Sequence, residues 1–185
     1  MDRPRVLLKS IEKGDQTAFR ELYDLYSKQV YNTALSYAQN PDDAKEIAQD
    51  VFTNVFRKAG TFRSEAKVST WIYRITINTS LNFLKRKKRV LFLRIEEQHN
   101  DQPDFDHPGV LLENREAARS LFRTINTLVN QQKTAFILSY VDDLPRQEVA
   151  DIMGVSLKSV ESLLHRAKKN LRTKLASEYP NRKKR

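Results

Sequence analysis

The chain of 185 residues contains no cysteine. Disulfides, thiolate zinc sites and cysteine nucleophiles are thereby excluded. Glycine is scarce, with only Gly14, Gly60, Gly109 and Gly154. They stand too far apart for a phosphate-cradling loop or a dinucleotide fingerprint. No run of 18 apolar residues occurs, so no membrane insertion is expected. The opening MDRPRVLLKS lacks the apolar stretch of a signal peptide. A soluble, cytoplasmic protein is therefore expected. No nucleophile–base pair or metal constellation is legible, so neither an enzyme nor a bound cofactor is expected.

Positive charge, by contrast, is plentiful. The net charge is +10 and the isoelectric point is near 9.8. A polyanionic partner is implied, either nucleic acid or an anionic membrane surface. The charge falls in blocks. Residues 1–94 hold 18 Lys/Arg against 10 Asp/Glu, and residues 113–185 hold 15 against 8. Between them, residues 95–112 hold five acids and no Lys or Arg. That stretch, with its two prolines and a glycine, reads as a flexible acidic linker able to span up to ~60 Å. His99 and His107 fall within it near Asp101, Asp104 and Asp106. A solvated linker accounts for them better than a loose metal site. Low Gly and Pro with abundant Lys, Glu, Gln, Ala and Leu favour helices. The expected fold is all-α: two small helical domains joined by that linker.

In the first module, Asp15 caps a helix running to about Gln39, with a core face of Phe19, Leu22, Tyr23, Tyr26, Val30, Tyr31 and Ala34. Asn40-Pro41 ends it. A second helix spans about Asp42–Lys58. It buries Ala44, Ile47, Ala48, Val51, Phe52 and Val55 and leaves an edge of Asp42, Asp43, Glu46, Gln49 and Asp50. Gly60 is placed to stop it. After a loop, Ser69–Arg89 forms one helix of about 31 Å. Trp71, Ile72, Ile75, Thr79 and Phe83 recur at steps of three and four and define its core face. Arg74, Asn78, Asn82, Lys85 and Arg89 recur at the same steps on the other side, and the end is a cationic block, residues 85–89. Amide groups beside basic ones suit a nucleic-acid backbone and base edges. An amphipathic helix with a solvated basic end fits equally well from this stretch alone.

In the second module, helices are expected over about Leu111–Leu128 and Gln131–Tyr140. The segment from Leu144 to Leu175 is sharper. Pro145 suits a first helical turn. Val149, Ala150 and Ile152 form a short apolar side, Gly154 suits a left-handed turn, and Ser156 can cap the next helix. That helix buries Val160, Leu163 or Leu164, Ala167 and Leu171. It exposes Lys158, Ser159, Ser162, His165, Arg166 and Lys169. A short helix, a glycine turn and a capped helix with a polar outer face form a helix-turn-helix. A hairpin used for packing alone is the plain alternative.

These residues resemble the extracytoplasmic-function sigma factors of bacterial RNA polymerase. The likeness covers Ala18 to Arg89 and Ser120 to Leu175. AFRELYDLY, DDAKEIAQDVFTNVFRK and FRSEAKVSTWIYRITIN look like the family's region 2, and EVADIMGVSLKSVESLLHRAKKNL looks like region 4. The resemblance implies a region 2 module over residues 1–94, a linker over 95–112 and a region 4 module over 113–185. It implies core polymerase contact through Asp43, Glu46, Gln49, Asp50 and Phe52. It implies −10 contacts through Phe62, Arg63, Arg74, Asn78, Asn82, Lys85, Arg86, Lys88 and Arg89. Flipped bases need edge-reading groups, stacking surfaces and a basic path. Trp71 either supplies such a surface or packs in the core, and Asn78 either lines the −10 pocket or holds the loop backbone. The resemblance implies −35 reading through Lys158, Ser159, Ser162, His165, Arg166 and Lys169. It further implies an anti-sigma partner, and neither a cofactor nor a small-molecule substrate.

Four departures stand out. Lys45 takes a place the family often gives to Glu, and Leu128-Val129 takes that of Leu-Pro. Glu161 and Leu163 replace two basic positions, which predicts fewer phosphate contacts. The final NRKKR reads as a basic tail near DNA. Two rivals remain at this point. A stand-alone helix-turn-helix regulator would explain residues 144–175 but not 69–89, and a palindromic footprint would favour it. A helical adaptor for membranes or RNA would show affinity that follows charge alone.

Overall fold

A computed structural model of the chain describes residues 2–63, 66–93 and 115–178. Among the described residues every regular element is a helix or helical turn. The chain divides into two compact units, Met1–Asn100 and Asp101–Arg185. The linker, its two histidines and the NRKKR tail lie outside the described residues.

In the first unit, α1 (Arg3–Glu12), α2 (Gln16–Ala38), α3 (Pro41–Lys58) and α4 (Val68–Leu93) follow one another. The sequence reading assigns no element before Asp15, yet α1 forms. Asp2 stands at its N-cap, proline lies in its first turn, and Leu7, Leu8 and Ile11 are buried. Gly14, at φ 87°, makes the turn into α2. There Asp15 Oδ1 accepts from Thr17 N at 2.8 Å and from Ala18 N at 3.0 Å, as expected for a cap. Gln39 ends α2 in left-handed backbone. Asn40 is extended, as a residue before proline must be, and its side chain caps α3 at Asp42 N and Asp43 N.

The core of this unit is Leu22, Val30, Ala34, Tyr37, Ile47, Val51, Val55 and Ile72, all inaccessible to solvent. Cutting a buried isoleucine such as Ile72 to alanine removes about 2–5 kcal/mol. Two buried hydroxyls on α4 turn inward on its own backbone: Thr76 Oγ1 donates to Ile72 O at 2.9 Å and Ser80 Oγ to Thr76 O at 2.8 Å. Each satisfies a polar group that could not otherwise be buried.

Two expectations fail here. Tyr23 is 46% exposed and is not part of the core, because its ring lies over Phe52 on the surface between α2 and α3. Gly60 does not stop α3 in left-handed backbone. The chain continues through a 3₁₀ turn, Ala59–Thr61, and Gly60 keeps a negative φ. A Cβ at Gly60 would meet only the side chain of the exposed Glu12, Oε1 at 2.8 Å, which would swing aside.

The second unit contains α5 (Arg115–Asn126), α6 (Asn130–Phe136), α7 (Arg146–Met153) and α8 (Leu157–Glu178). The expected helix over 131–140 is divided. After Phe136 the chain widens into a π turn, Ile137–Val141, closed by Asp142 N on Ile137 O at 2.9 Å. Pro145 sits one place earlier than expected, at the N-cap of α7 rather than in its first turn. Gly154, at φ 66°, ends α7 in left-handed backbone, as expected. Ser156 then caps α8, its Oγ accepting from Ser159 N at 3.2 Å. Phe122, Ile125, Leu138, Val149, Val160, Leu164 and Ala167 make the core. Leu163 and Leu164 are both buried, which resolves the alternative left open by the helical spacing.

Candidate nucleic-acid interface

On α4 the two faces separate cleanly. Ile72, Ile75 and Phe83 are buried, whereas Arg74, Asn78, Asn82, Lys85 and Arg89 are exposed. Steps of three and four keep those five groups along one side of a rod anchored by the other side. Arg86 and Lys88 are exposed on the last described turns. Trp71 is half-buried, its ring edge-on to Phe62 with centroids 5.6 Å apart. Arg63 is exposed beside Phe62. The arrangement offers amides, cations and an aromatic pair on one module.

The acidic edge of α3 does not stand apart from this face. Lys87 Nζ lies 2.8 Å from Asp43 Oδ2, and Arg86 Nη2 lies 3.0 Å from Glu46 Oε1. Arg86 also lies over the Phe83 ring, 5.3 Å from its centroid. Lys87 was not among the sequence candidates, and helical spacing on α4 alone could not reveal its partner across 44 residues. Gln49 and Asp50 are exposed further along α3. Phe52 is buried, with Tyr23 at 4.6 Å and Phe19 at 6.4 Å between ring centroids. These rings and Phe56 line a groove of about 830 Å³ that reaches Gln49. Phe52 forms part of the wall of this groove, edge-on to Phe19 and tilted against Tyr23.

In the second unit, α8 presents Lys158, Ser159, His165, Arg166 and Lys169 to solvent, with Ser162 half-covered. Two of these are engaged locally. Ser159 Oγ is 2.8 Å from the capping Ser156 Oγ, and Arg166 Nη2 donates to Ser162 Oγ at 2.8 Å. Glu161 is exposed, but Leu163 lies in the core. The leucine therefore removes no surface contact, and only Glu161 lowers the positive charge of this face.

A second cluster in this unit does not follow from the helical spacing. Lys168 Nζ lies over the Tyr140 ring, 4.5 Å from its centroid, and Arg146 Nη2 reaches Tyr140 Oη at 3.4 Å. The hydrogen bond to Lys168 and the positive charge of Lys168 and Arg146 hold the phenol below its usual range, against a smaller effect of burial. The tyrosine comes from the π turn, so no helical period could have paired it with α8.

Two family models match the chain. Sigma-70 region 2 matches residues 22–90 and Sigma-70, region 4 matches residues 118–171. The chain is 28% identical over 176 residues to the ECF RNA polymerase sigma factor SigW of Bacillus subtilis (strain 168), across 91% of this chain and 94% of that one. It is 29% identical over 179 residues to the ECF RNA polymerase sigma-E factor of Escherichia coli (strain K12), across 92% and 93%. Among solved structures, CnrH in complex with the cytosolic domain of CnrY superposes with a TM-score of 0.66 at 20% identity, over 95% of this chain and 99% of that one. The sigma factor RpoE in complex with the anti-sigma factor NepR from Bartonella quintana gives 0.60 at 19%, over 85% and 96%. At such identities these structures establish the fold.

A region 2 module followed by a region 4 module defines a specificity subunit of bacterial RNA polymerase, which binds the core enzyme, recognises −35 and −10 promoter elements and promotes DNA melting. With nothing but a short connection between the two matches, the chain belongs to the extracytoplasmic-function sigma factors.

Proposed function

We propose a division of labour among three faces of this chain. The α3 edge, Asp43, Glu46, Gln49 and Asp50 with Phe52 behind it, engages core polymerase as an acidic and amide surface against a basic one. The outer side of α4 takes the opened −10 strand. Phe62 and Arg63 lie against the bases, Asn78 and Asn82 meet base edges, and Arg74, Lys85, Arg86, Lys88 and Arg89 follow the phosphates. The outer side of α8, Lys158, Ser159, Ser162, His165, Arg166 and Lys169, enters the −35 major groove. The modules are residues 1–94 and 113–185, joined by 95–112. The protein works in the cytoplasm as a stoichiometric binding subunit without chemistry of its own. An anti-sigma protein regulates it by covering these faces, in keeping with the RpoE–NepR complex among its structural neighbours.

One observation carries this reading: five polar groups at helical spacing stay exposed along α4 while its other side is anchored in the core. Purification with core polymerase, DNA removed and salt near physiological, tests it. A stoichiometric complex that transcribes from a −35/−10 promoter supports the assignment. Asp50→Lys separates the faces, since it is expected to lower core affinity at least tenfold, about 1.4 kcal/mol, while the −35 affinity of the free protein stays unchanged. Failure of the native chain to bind core would remove the α3 assignment.

A further inference from the structure

The connection from α3 to α4 is tied at its exit to α1, an element without a part in the assignments above. At the entry, Glu12 lies over Gly60 so closely that no Cβ fits there without a shift. Phe62 N then donates to Ala59 O at 3.2 Å, and its ring meets Trp71. At the exit, Arg5 Nη2 donates to Ala66 O at 3.2 Å, a link across 61 residues. Trp71 N on Lys67 O, also 3.2 Å, closes the first turn of α4 directly behind it. Arg5 Nε lies 3.5 Å from Asp2 Oδ2, an ion-pair distance, and makes no hydrogen bond of its own.

Between α1 and the turn lies a cavity of about 460 Å³, lined by Asp2, Arg5, Leu8, Glu12, Gly60 and Phe62. Beside this cavity, the bond from Arg5 to Ala66 O is the polar tie that runs from α1 to the described end of the connection. Segments that must be ordered on binding subtract that cost from affinity, and they subtract it for right and wrong bases alike unless the geometry is set beforehand.

We infer that Arg5 is a positioning residue for −10 selectivity: through Ala66 O it sets the exit of the connection without touching DNA. The inference rests on the assignment of Phe62 and Arg63 to the −10 strand.

The test uses holoenzyme assembled from core polymerase and the native chain, Arg5→Ala, Arg5→Lys or Phe62→Ala. Permanganate reactivity of unpaired thymines measures opening on a promoter the protein uses and on single-base −10 variants of it, across a salt series. For Arg5→Ala, core affinity should be unchanged. The ratio of opening on the preferred over the altered −10 sequence should fall roughly three- to tenfold, the scale of one ordinary hydrogen bond. Arg5→Lys should recover part of the ratio, because an ammonium also donates to a carbonyl. The salt slope should not move, since no phosphate contact is lost.

An unchanged ratio for Arg5→Ala beside a lowered one for Phe62→Ala overturns the positioning role and leaves the loop assignment standing. An unchanged ratio for Phe62→Ala removes that assignment and the inference with it. A uniform loss over all −10 sequences with a shallower salt slope makes Arg5 a phosphate contact and also overturns the inference. Thermal unfolding of each free variant checks its fold. Should Arg5→Ala not fold, Arg5→Gln, which keeps part of the stem but is too short to reach Ala66 O in the same way, is expected to lower the same ratio, and an unchanged ratio there counts against the role of Arg5.

Discussion

Lys87 on the last turns of α4 forms an ion pair with Asp43 at the start of α3, at 2.8 Å. One turn along, Arg86 pairs with Glu46 at 3.0 Å. The two pairs differ in cover. The Lys87–Asp43 side chains are 34% and 18% exposed, whereas those of Arg86 and Glu46 are 63% and 56% exposed. Both acids belong to the edge assigned to polymerase, and Arg86 to the path assigned to DNA.

A double-mutant cycle should separate the pairs. Asp43→Ala with Lys87→Ala is expected to couple by about 0.5–1 kcal/mol, and Glu46→Ala with Arg86→Ala by less, because the outer pair is better screened. Urea unfolding of the free protein reads both values. A stronger coupling in the outer pair would contradict the geometry.

Asn82→Ala should weaken promoter opening by ~1–3 kcal/mol if the amide meets a base edge. Core affinity should remain at the native value, since Asn82 lies on the exposed side of α4. Opening and core binding are measured side by side, and equal loss of both would argue against the −10 role.

Arg166 is already held in the free protein by Ser162 Oγ. If it reads a base, Arg166→Ala should cost ~1–3 kcal/mol at one base pair of the −35 element. Binding to a panel of singly substituted −35 duplexes decides this. Equal loss on every duplex, with a shallower salt slope, would make it a phosphate contact.

The lowered Tyr140 phenol gives a pH prediction. Its folded pKa lies below the unfolded value of about 10. The stabilisation is therefore fully present only above the unfolded pKa, shrinks as pH falls, and is absent below the folded pKa, including at neutrality. Absorbance titration near 295 nm should show one tyrosine ionising early, and Tyr140→Phe should remove that component. Lys168→Ala should move it upward, since the Lys168 hydrogen bond is the largest cause of the shift.

What the sequence made legible was whatever depends on local chemistry. Asp15 as a cap, Gly154 as a left-handed stop, Ser156 as a cap and the two sides of α4 all follow from rules acting within a few residues. α1 was missed although Asp2, a proline and the Leu7, Leu8, Ile11 stripe are its signals, because ten residues with one narrow stripe are too short to stand out. Gly60 differs from the expected left-handed stop because the chain runs on there into a 3₁₀ turn, which depends on how the connection packs and not on the glycine alone. Tyr23 fits the helical period of α2, but period says only which side a residue faces and not whether anything covers it. The Lys87–Asp43 pair and the Tyr140 cluster depend on how helices are set against each other.

On α8 the side chains that hold the second unit together and those proposed for the major groove alternate along one rod. Val160, Leu163, Leu164, Ala167 and Leu171 face inward, while positions 158, 159, 165, 166 and 169 are open. The outward set can consequently be rewritten with little thermodynamic penalty, apart from the bond of Ser159 to the capping Ser156 and the tie at Ser162. Under the proposed −35 assignment, orthogonal promoter preferences are reachable by exchanging a handful of letters on an unchanged scaffold, which makes this helix a practical starting point for building insulated gene circuits.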